Sequence, residues 1–167
     1  MHAKLISLLA ALSLGAAGCS GGSDGGGGGQ PSPPPPPPPI TKAEAFQLLN
    51  QATFGATEAE AQRVIDMRIE AWIDEQLARP ASLQLPHVQS LPLPQFIGEL
   101  QNDRVDIWFR NALHGDDQLR QRVAFALSEI MVVSQLGVLN NYPYALASYY
   151  DMLARNAFGN YRDLIEE

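Results

Sequence analysis

Apolar side chains recur at three- and four-residue spacing along most of the chain after residue 40, which is the period of an α-helix. The longest such run is residues 117–135, DQLRQRVAFALSEIMVVSQ, in which apolar character extends around most of the helix circumference. We predict that this run forms a central, largely buried helix that needs packing partners on several sides. Only its first two turns are predicted to lie in solvent, with Asp116, Asp117, Arg120, Gln121 and Arg122.

Capping signals, glycines and prolines predict where the other helices begin and end. Thr41 with Glu44, and Thr57 with Glu60, each form a capping box at a helix start. The predicted helices are 41–52, 57–67, 69–78, 96–114 with a break at residues 102–103, 143–157, and a last one from residue 161.

Two stretches lack a helical period, residues 81–93 and residues 136–142, and the second, with Gly137 and the pair Asn140 and Asn141, is predicted to form a loop. Residues 81–93 contain Pro86 and Pro92, and they are predicted to form a surface crossing between helices. No run of useful length has the two-residue period of a strand. The fold class is therefore predicted to be all-α, a multi-helical orthogonal bundle that is incomplete at its C-terminal end.

The first 39 residues have a different pattern. Lys4 precedes an apolar run from Leu5 to Ala17, and small residues then lead to Cys19, the only cysteine. The segment LGAAGC resembles the lipobox of bacterial lipoproteins, so residues 1–18 are predicted to be a lipoprotein signal peptide and Cys19 the lipidated residue. An ordinary secretory leader with an incidental cysteine is the alternative. Ser20 after the cysteine resembles the sorting pattern for the outer membrane.

Residues 19–39 are predicted to be a disordered tether. A Gly- and Ser-rich stretch comes first, and a run of prolines from Pro33 to Pro39 follows. The proline run favours polyproline II, which would make it a spacer of roughly 20–25 Å. Residues 40–167 are left to form the helical domain, at the periplasmic face of the outer membrane.

The charge balance limits the partners. The chain has 18 acidic against 11 basic residues and a formal net charge of −7. A nucleic-acid binder needs a positive surface, so no nucleic-acid partner is predicted. The membrane, reached through the lipidated N-terminus, and an unidentified envelope protein are the partners that we predict.

Few residues suggest chemistry, and the sequence predicts neither a cofactor nor a metal site. His87 and His114 have no carboxylate partner in local spacing, so a structural role is favoured for both. Arg122 and Glu129 are charges two turns apart on the central helix, where charged residues are rarely buried unless paired. With Arg110 they are predicted to form a buried polar network, and a catalytic pair is the alternative.

Three blocks carry a family resemblance. They are FQLLNQATFGAT from Phe46, QLRQRVAFALSE from Gln118, and YYDML from Tyr149 with the following AFGNYRDL. In this order they resemble the bacterial family called domain of unknown function 1800. The resemblance implies an exported, largely helical protein of which residues 40–167 are the N-terminal part, and it implies no established activity.

Two functions are compatible with these observations. The first is an exported, lipid-anchored helical protein with a binding or assembly role at the cell envelope. The second is the N-terminal fragment of an exported enzyme whose active site is completed by further C-terminal sequence. The residues do not decide whether the protein is an enzyme.

Replacing Cys19 with alanine tests the predicted anchor. We expect Cys19→Ala to abolish both acyl labelling and membrane fractionation, because the thiol is the only atom that the lipid can modify at this position. Ser20→Ala, which retains the thiol, is the control and should remain labelled. A Cys19→Ala variant that still incorporates lipid would contradict the lipoprotein prediction.

Overall fold

The computed structural model describes residues 38–167, so the predicted signal peptide, Cys19 and most of the tether lie outside the described residues. This described part contains eight α-helices and no β-strand, which confirms the predicted all-α class. The helices are α1 (Lys42–Ala52), α2 (Glu58–Met67), α3 (Ile69–Ala78), α4 (Leu85–Ser90), α5 (Leu100–His114), α6 (Gln118–Ile130), α7 (Pro143–Arg155) and α8 (Tyr161–Glu166). None of them combines the length and the hydropathy that crossing a membrane requires.

The predicted capping boxes begin α1 and α2, but only the first is complete. The Thr41 hydroxyl accepts from the Glu44 N–H, and the Glu44 carboxylate accepts from the Thr41 N–H at 2.8 Å. At α2 the Thr57 hydroxyl accepts from the Glu60 N–H at 3.2 Å. The Glu60 carboxylate instead accepts from the indole N–H of buried Trp72 at 2.7 Å. A buried indole N–H needs an acceptor, so packing draws Glu60 away from its own helix end.

Three clusters of buried apolar side chains form the core. The first joins α1, α2 and α3 around Leu49 and Trp72. The second joins α4, α5 and α7 around Val88, and the third joins α6, α7 and α8 around Leu153. Because Leu119 at the start of α6 packs against the first cluster and α7 belongs to the other two, α6 and α7 connect all three.

The central position predicted for α6 is confirmed, since this helix contacts α1, α3, α5 and α7. Its predicted length and burial are wrong. α6 ends at Ile130, which is 76% exposed, and the hydroxyl of Tyr149 donates to the carbonyl of Met131 just beyond that end. At the other end Asp117 and Gln121, predicted to lie in solvent, are buried. Asp117 Oδ2 accepts from the Ser82 N–H and from Gln121 Nε2, and Gln121 Nε2 also donates to the Ser82 carbonyl. Asp117 Oδ1 is buried without a hydrogen-bond partner among residues 38–167.

The predicted break at residues 102–103 is also wrong, because α5 runs without interruption from Leu100 to His114. The irregularity lies earlier, in a 3-10 helix at Ile97–Glu99, whose shorter period explains the change of phase in the apolar pattern. Gly115 ends α5 as predicted, and its N–H donates to the carbonyl of Asn111. A Cβ at Gly115 would lie 2.5 Å from that oxygen, so the close approach requires glycine.

Residues 81–93 are only in part the surface crossing that the prolines predict, since most of them are exposed or half-buried but Gln84 and Val88 are buried. They include α4, and two buried aspartates hold their backbone in place. Asp117 Oδ2 accepts from the Ser82 N–H at 2.9 Å. Asp151, in α7, accepts from the Gln84 N–H at 2.7 Å and from the Leu85 N–H at 2.9 Å. Buried N–H groups need acceptors, so these carboxylates allow residues 82–85 to pack against α6 and α7.

Truncating Asp151 tests this attachment. Asp151→Ala removes the acceptor of two backbone N–H groups, and we expect the free energy of unfolding to fall by about 2–4 kcal/mol. Asp74→Ala, at an exposed position of α3, is the control and should change it by less than about 0.5 kcal/mol. Urea denaturation followed by circular dichroism measures both. Equal effects of the two substitutions would contradict the proposed role of Asp151.

The same side chain should make stability depend on pH. Burial raises the pKa of Asp151 above its usual 3.8, and its backbone hydrogen bonds lower it only in part. The folded state therefore holds the Asp151 proton more tightly than the unfolded state does. The stability that this proton contributes is fully present below the pKa of Asp151 in the unfolded chain and is lost as pH rises through its pKa in the folded protein. Relative to Asp151→Asn, wild-type unfolding free energy should therefore decrease as pH rises from about 3. A relative increase over that range would overturn the assignment.

Candidate functional site

Arg104 is the one arginine or lysine in residues 38–167 that is buried, with only 4% of its surface exposed. It lies on the inner face of α5 with Leu100 and Ile107, each about one helical turn away. Its Nε donates to Gln101 Oε1 at 2.9 Å, and its Nη2 donates to Gln135 Oε1 at 2.7 Å. All of these partners are uncharged.

These hydrogen bonds therefore supply Arg104 with no counter-charge. The ring of Tyr150 faces the guanidinium with 5.2 Å between the ring centroid and the central carbon, which is a cation–π contact. Burial lowers the pKa of Arg104 below its usual value, because desolvation disfavours the charged form, but arginine remains protonated at neutral pH. No ion pair within the described range includes Arg104. Buried cations are usually paired, so this one suits an anion from outside the domain.

The guanidinium of Arg104 lines a cleft of about 230 Å³ between α5, α6 and α7. Aromatic side chains form much of its wall, and a single carboxylate lies at its exposed side. The lining residues are Arg104, Val105, Trp108, Phe125, Ser128, Glu129, Gln135 and Tyr150. The cleft thus combines a buried cation, an aromatic wall and an opening to solvent, which are features of a small-ligand site.

Two polar groups of the cleft differ in their freedom to react. The Ser128 hydroxyl donates to the Phe125 carbonyl at 2.7 Å, so it is committed to its own helix. Glu129 is exposed, and solvent therefore screens its charge. A nucleophilic serine requires a base that accepts a hydrogen bond from its hydroxyl. Among residues 38–167 the Ser128 hydroxyl donates to a backbone carbonyl and to no such base.

The three residues predicted to form a buried network, Arg110, Arg122 and Glu129, form no ion pair with one another. Arg122 is half-buried, and its guanidinium carbon lies 5.5 and 5.7 Å from the ring centroids of Phe54 and Phe125. Glu129 lies on the cleft and Arg110 is exposed. That prediction is wrong for the physical reason that aromatic faces accommodate the charge of Arg122, while water solvates the charges of Glu129 and Arg110.

The two histidines lie away from this cleft. His87 Nδ1 is 3.2 Å from Arg110 Nη2, and His114 is exposed at the end of α5. No group of three His, Cys, Asp or Glu side chains in residues 38–167 is placed to hold a metal ion.

The sequence contained a signal for Arg104 that the predicted helix break concealed. With α5 continuous from Leu100, the residues at positions 100, 104, 107 and 111 share one face, and all are buried. An arginine on such a face indicates a buried charge that needs a partner. Its actual neighbours, Gln135 and Tyr150, belong to other segments. Their distance in sequence from Arg104 is too large for a local pattern to predict the contact.

Comparison with known proteins identifies the family. The family described as "Protein of unknown function (DUF1800)" matches residues 47–167, which include α2 to α8 and the second half of α1. No curated protein and no solved structure matches the chain. The family match covers more than half of the sequence and confirms the resemblance of the three sequence blocks. The chain therefore belongs to the DUF1800 family.

Proposed function

We propose that this protein is an exported, lipid-anchored binding protein of the bacterial cell envelope, whose helical domain captures a ligand through a carboxylate at Arg104. The observation that carries the binding role is the buried, uncompensated guanidinium that lines a cleft. An anionic ligand would supply the counter-charge that the domain itself does not provide.

The proposed location depends on the first 39 residues. Signal-peptide features end at Cys19, and the residue that follows is Ser20 rather than aspartate. A lipid on Cys19 would hold the protein at the periplasmic face of the outer membrane, and the tether would keep the domain clear of the lipid surface. An envelope protein that docks on the domain remains part of the proposal.

The geometry of Arg104 favours a carboxylate. Arg104 Nε donates to Gln101 and Nη2 donates to Gln135. The third nitrogen, Nη1, has no hydrogen-bond partner among the described residues and is partly accessible to solvent. It is therefore available to donate to an incoming oxygen, and a charged acceptor gives the stronger bond. Trp108 and Phe125 provide an apolar surface for the atoms attached to that carboxylate.

Binding accounts for the cleft better than catalysis does. The alternative of an exported enzyme drew on Arg122 and Glu129, yet Arg122 does not line the cleft and lies against aromatic rings. Glu129 does line it, but it is exposed and makes no hydrogen bond within the described part of the chain. A group that abstracts a proton is usually held by partners that orient it and shift its pKa.

Benzoate, which joins a carboxylate to an apolar ring, is the probe that tests this site. We expect the detergent-solubilised full-length protein to bind benzoate at least about tenfold more tightly than neutral benzamide, since only benzoate pairs with the cation. The indole N–H signal of Trp108 in NMR spectra reports occupancy of the cleft. Arg104→Met should abolish the difference between the two ligands, and Arg104→Lys should retain part of it.

Two matched variants control for general effects of charge. Arg110→Met removes an exposed arginine from the same helix, and Glu129→Gln removes the carboxylate at the cleft edge. Arg110→Met should leave benzoate binding unchanged, whereas Glu129→Gln should strengthen it slightly by removing a repulsive charge. Equal binding of benzoate and benzamide, or unchanged binding by folded Arg104→Met, would contradict the proposed function.

A further inference from the structure

A second and larger groove adjoins the Arg104 cleft. Its volume is about 730 Å³, and Gln135 lines both this groove and the cleft. One carboxylate, that of Glu99, lines it, and the other polar side chains are neutral amides: Gln95, Gln101, Asn102, Gln135, Asn140 and Asn141. We call these six residues and the space between them the amide groove.

Most of the amides in this groove are free to meet a ligand. Gln101 Nε2 is committed to the carbonyls of Leu139 and Asn140, at 3.0 and 3.2 Å. The side chains of Asn102 and Asn141, by contrast, are exposed and have no hydrogen-bond partner within residues 38–167. Each amide offers both a donor and an acceptor, and a hydroxyl group requires that same combination.

The edge of the groove adds an aromatic surface. Phe96 lines it and is 66% exposed, so a face of its ring is available to a ligand. A sugar ring presents C–H groups on its faces and hydroxyls around its rim. The faces suit an aromatic ring and the rim suits amides, so the two features together favour a saccharide.

Arg104 lies at one end of this arrangement. The two groove residues Gln101 and Gln135 are the same residues that hydrogen-bond its guanidinium. A ligand that occupies the amide groove therefore has a buried cation within reach where the groove meets the cleft. The cleft alone, at about 230 Å³, is smaller than the roughly 300–1,000 Å³ of most ligand pockets. Together the two spaces accept a molecule larger than a single small anion.

From this juxtaposition we infer that the ligand is an acidic saccharide, with its hydroxyls on the amide groove, a ring face on Phe96 and a carboxylate on Arg104. The inference rests on the proposed function, because it assigns the ligand class of the same site. A peptide with a free C-terminal carboxylate is the competing ligand. It is less favoured because extended peptides commonly pair with a strand edge, and residues 38–167 contain no strand.

Trigalacturonate, a chain of three uronic acids, is the probe for this inference, and isothermal calorimetry on the full-length protein in detergent measures its affinity. We expect it to bind at least about tenfold more tightly than benzoate or than its own neutral methyl ester. Asn102→Ala and Asn141→Ala should each weaken trigalacturonate binding about fivefold, the effect of losing one neutral hydrogen bond. Neither should change benzoate binding. Asn50→Ala, an exposed amide on α1, is the control and should leave both affinities unchanged.

The outcomes separate the inference from the proposed function. If trigalacturonate binds no more tightly than benzoate, or if the Asn102 and Asn141 variants have no effect while Arg104→Met removes binding, the saccharide assignment is overturned and the carboxylate site stands. If triglycine binds more tightly than trigalacturonate, the ligand is a peptide and the assignment is again overturned. If folded Arg104→Met binds trigalacturonate and benzoate as the wild type does, the proposed function itself fails.

Discussion

Two buried carboxylates connect the first three helices to the rest of the domain. Asp117 at the start of α6 and Asp151 in α7 accept hydrogen bonds from the backbone between α3 and α4. A segment without helical hydrogen bonds can pass through an interior only if its N–H groups find acceptors, and these side chains provide them. The carboxylates in turn need donors, because burying an unpaired charge is costly. The carboxylates therefore require the backbone N–H groups, and the N–H groups require the carboxylates. The position of α4 depends on this contact.

Gln76 strengthens the same junction from α3. Its side chain donates to the carbonyl of Asp116 and accepts from the N–H of Leu119. The second contact satisfies one of the N–H groups that a helix start leaves without an intrahelical partner. Asp117 is thereby free to bind Ser82 rather than to cap its own helix. The start of α6 is therefore stabilised by Gln76 of α3, and Asp117 at that start binds the distant backbone at Ser82.

The site depends on a buried charge that the domain leaves uncompensated. The guanidinium of Arg104 donates to the neutral side chains of Gln101 and Gln135 and faces the ring of Tyr150, and it makes no ion pair among residues 38–167. Amides satisfy the donors of a guanidinium without neutralising it, so the cost of desolvating the charge remains. A protein that only needed a stable core would place an apolar side chain at this position. The external anion that we propose would supply the missing counter-charge.

The sequence by itself determined the features that depend on neighbours in the chain. Thr41 and Asn160 begin helices by hydrogen bonds to residues three positions later, Gly115 ends one, and the helical period of the apolar residues excludes a sheet. The acidic composition and the three family blocks are likewise properties of the sequence alone. These inferences succeeded because each interaction lies within one or two helical turns.

Only the tertiary structure decided which polar residues are buried and what they bind. Asp151 and Gln84 are 67 positions apart, and Arg104 and Gln135 are 31 apart, so no local pattern pairs them. The predicted network of Arg110, Arg122 and Glu129 failed for the same reason, since the partners of Arg122 are aromatic rings, one of them on a distant segment. The energy of a buried charge depends on every group that folding brings near it, and spacing along one helix specifies only a few of those groups.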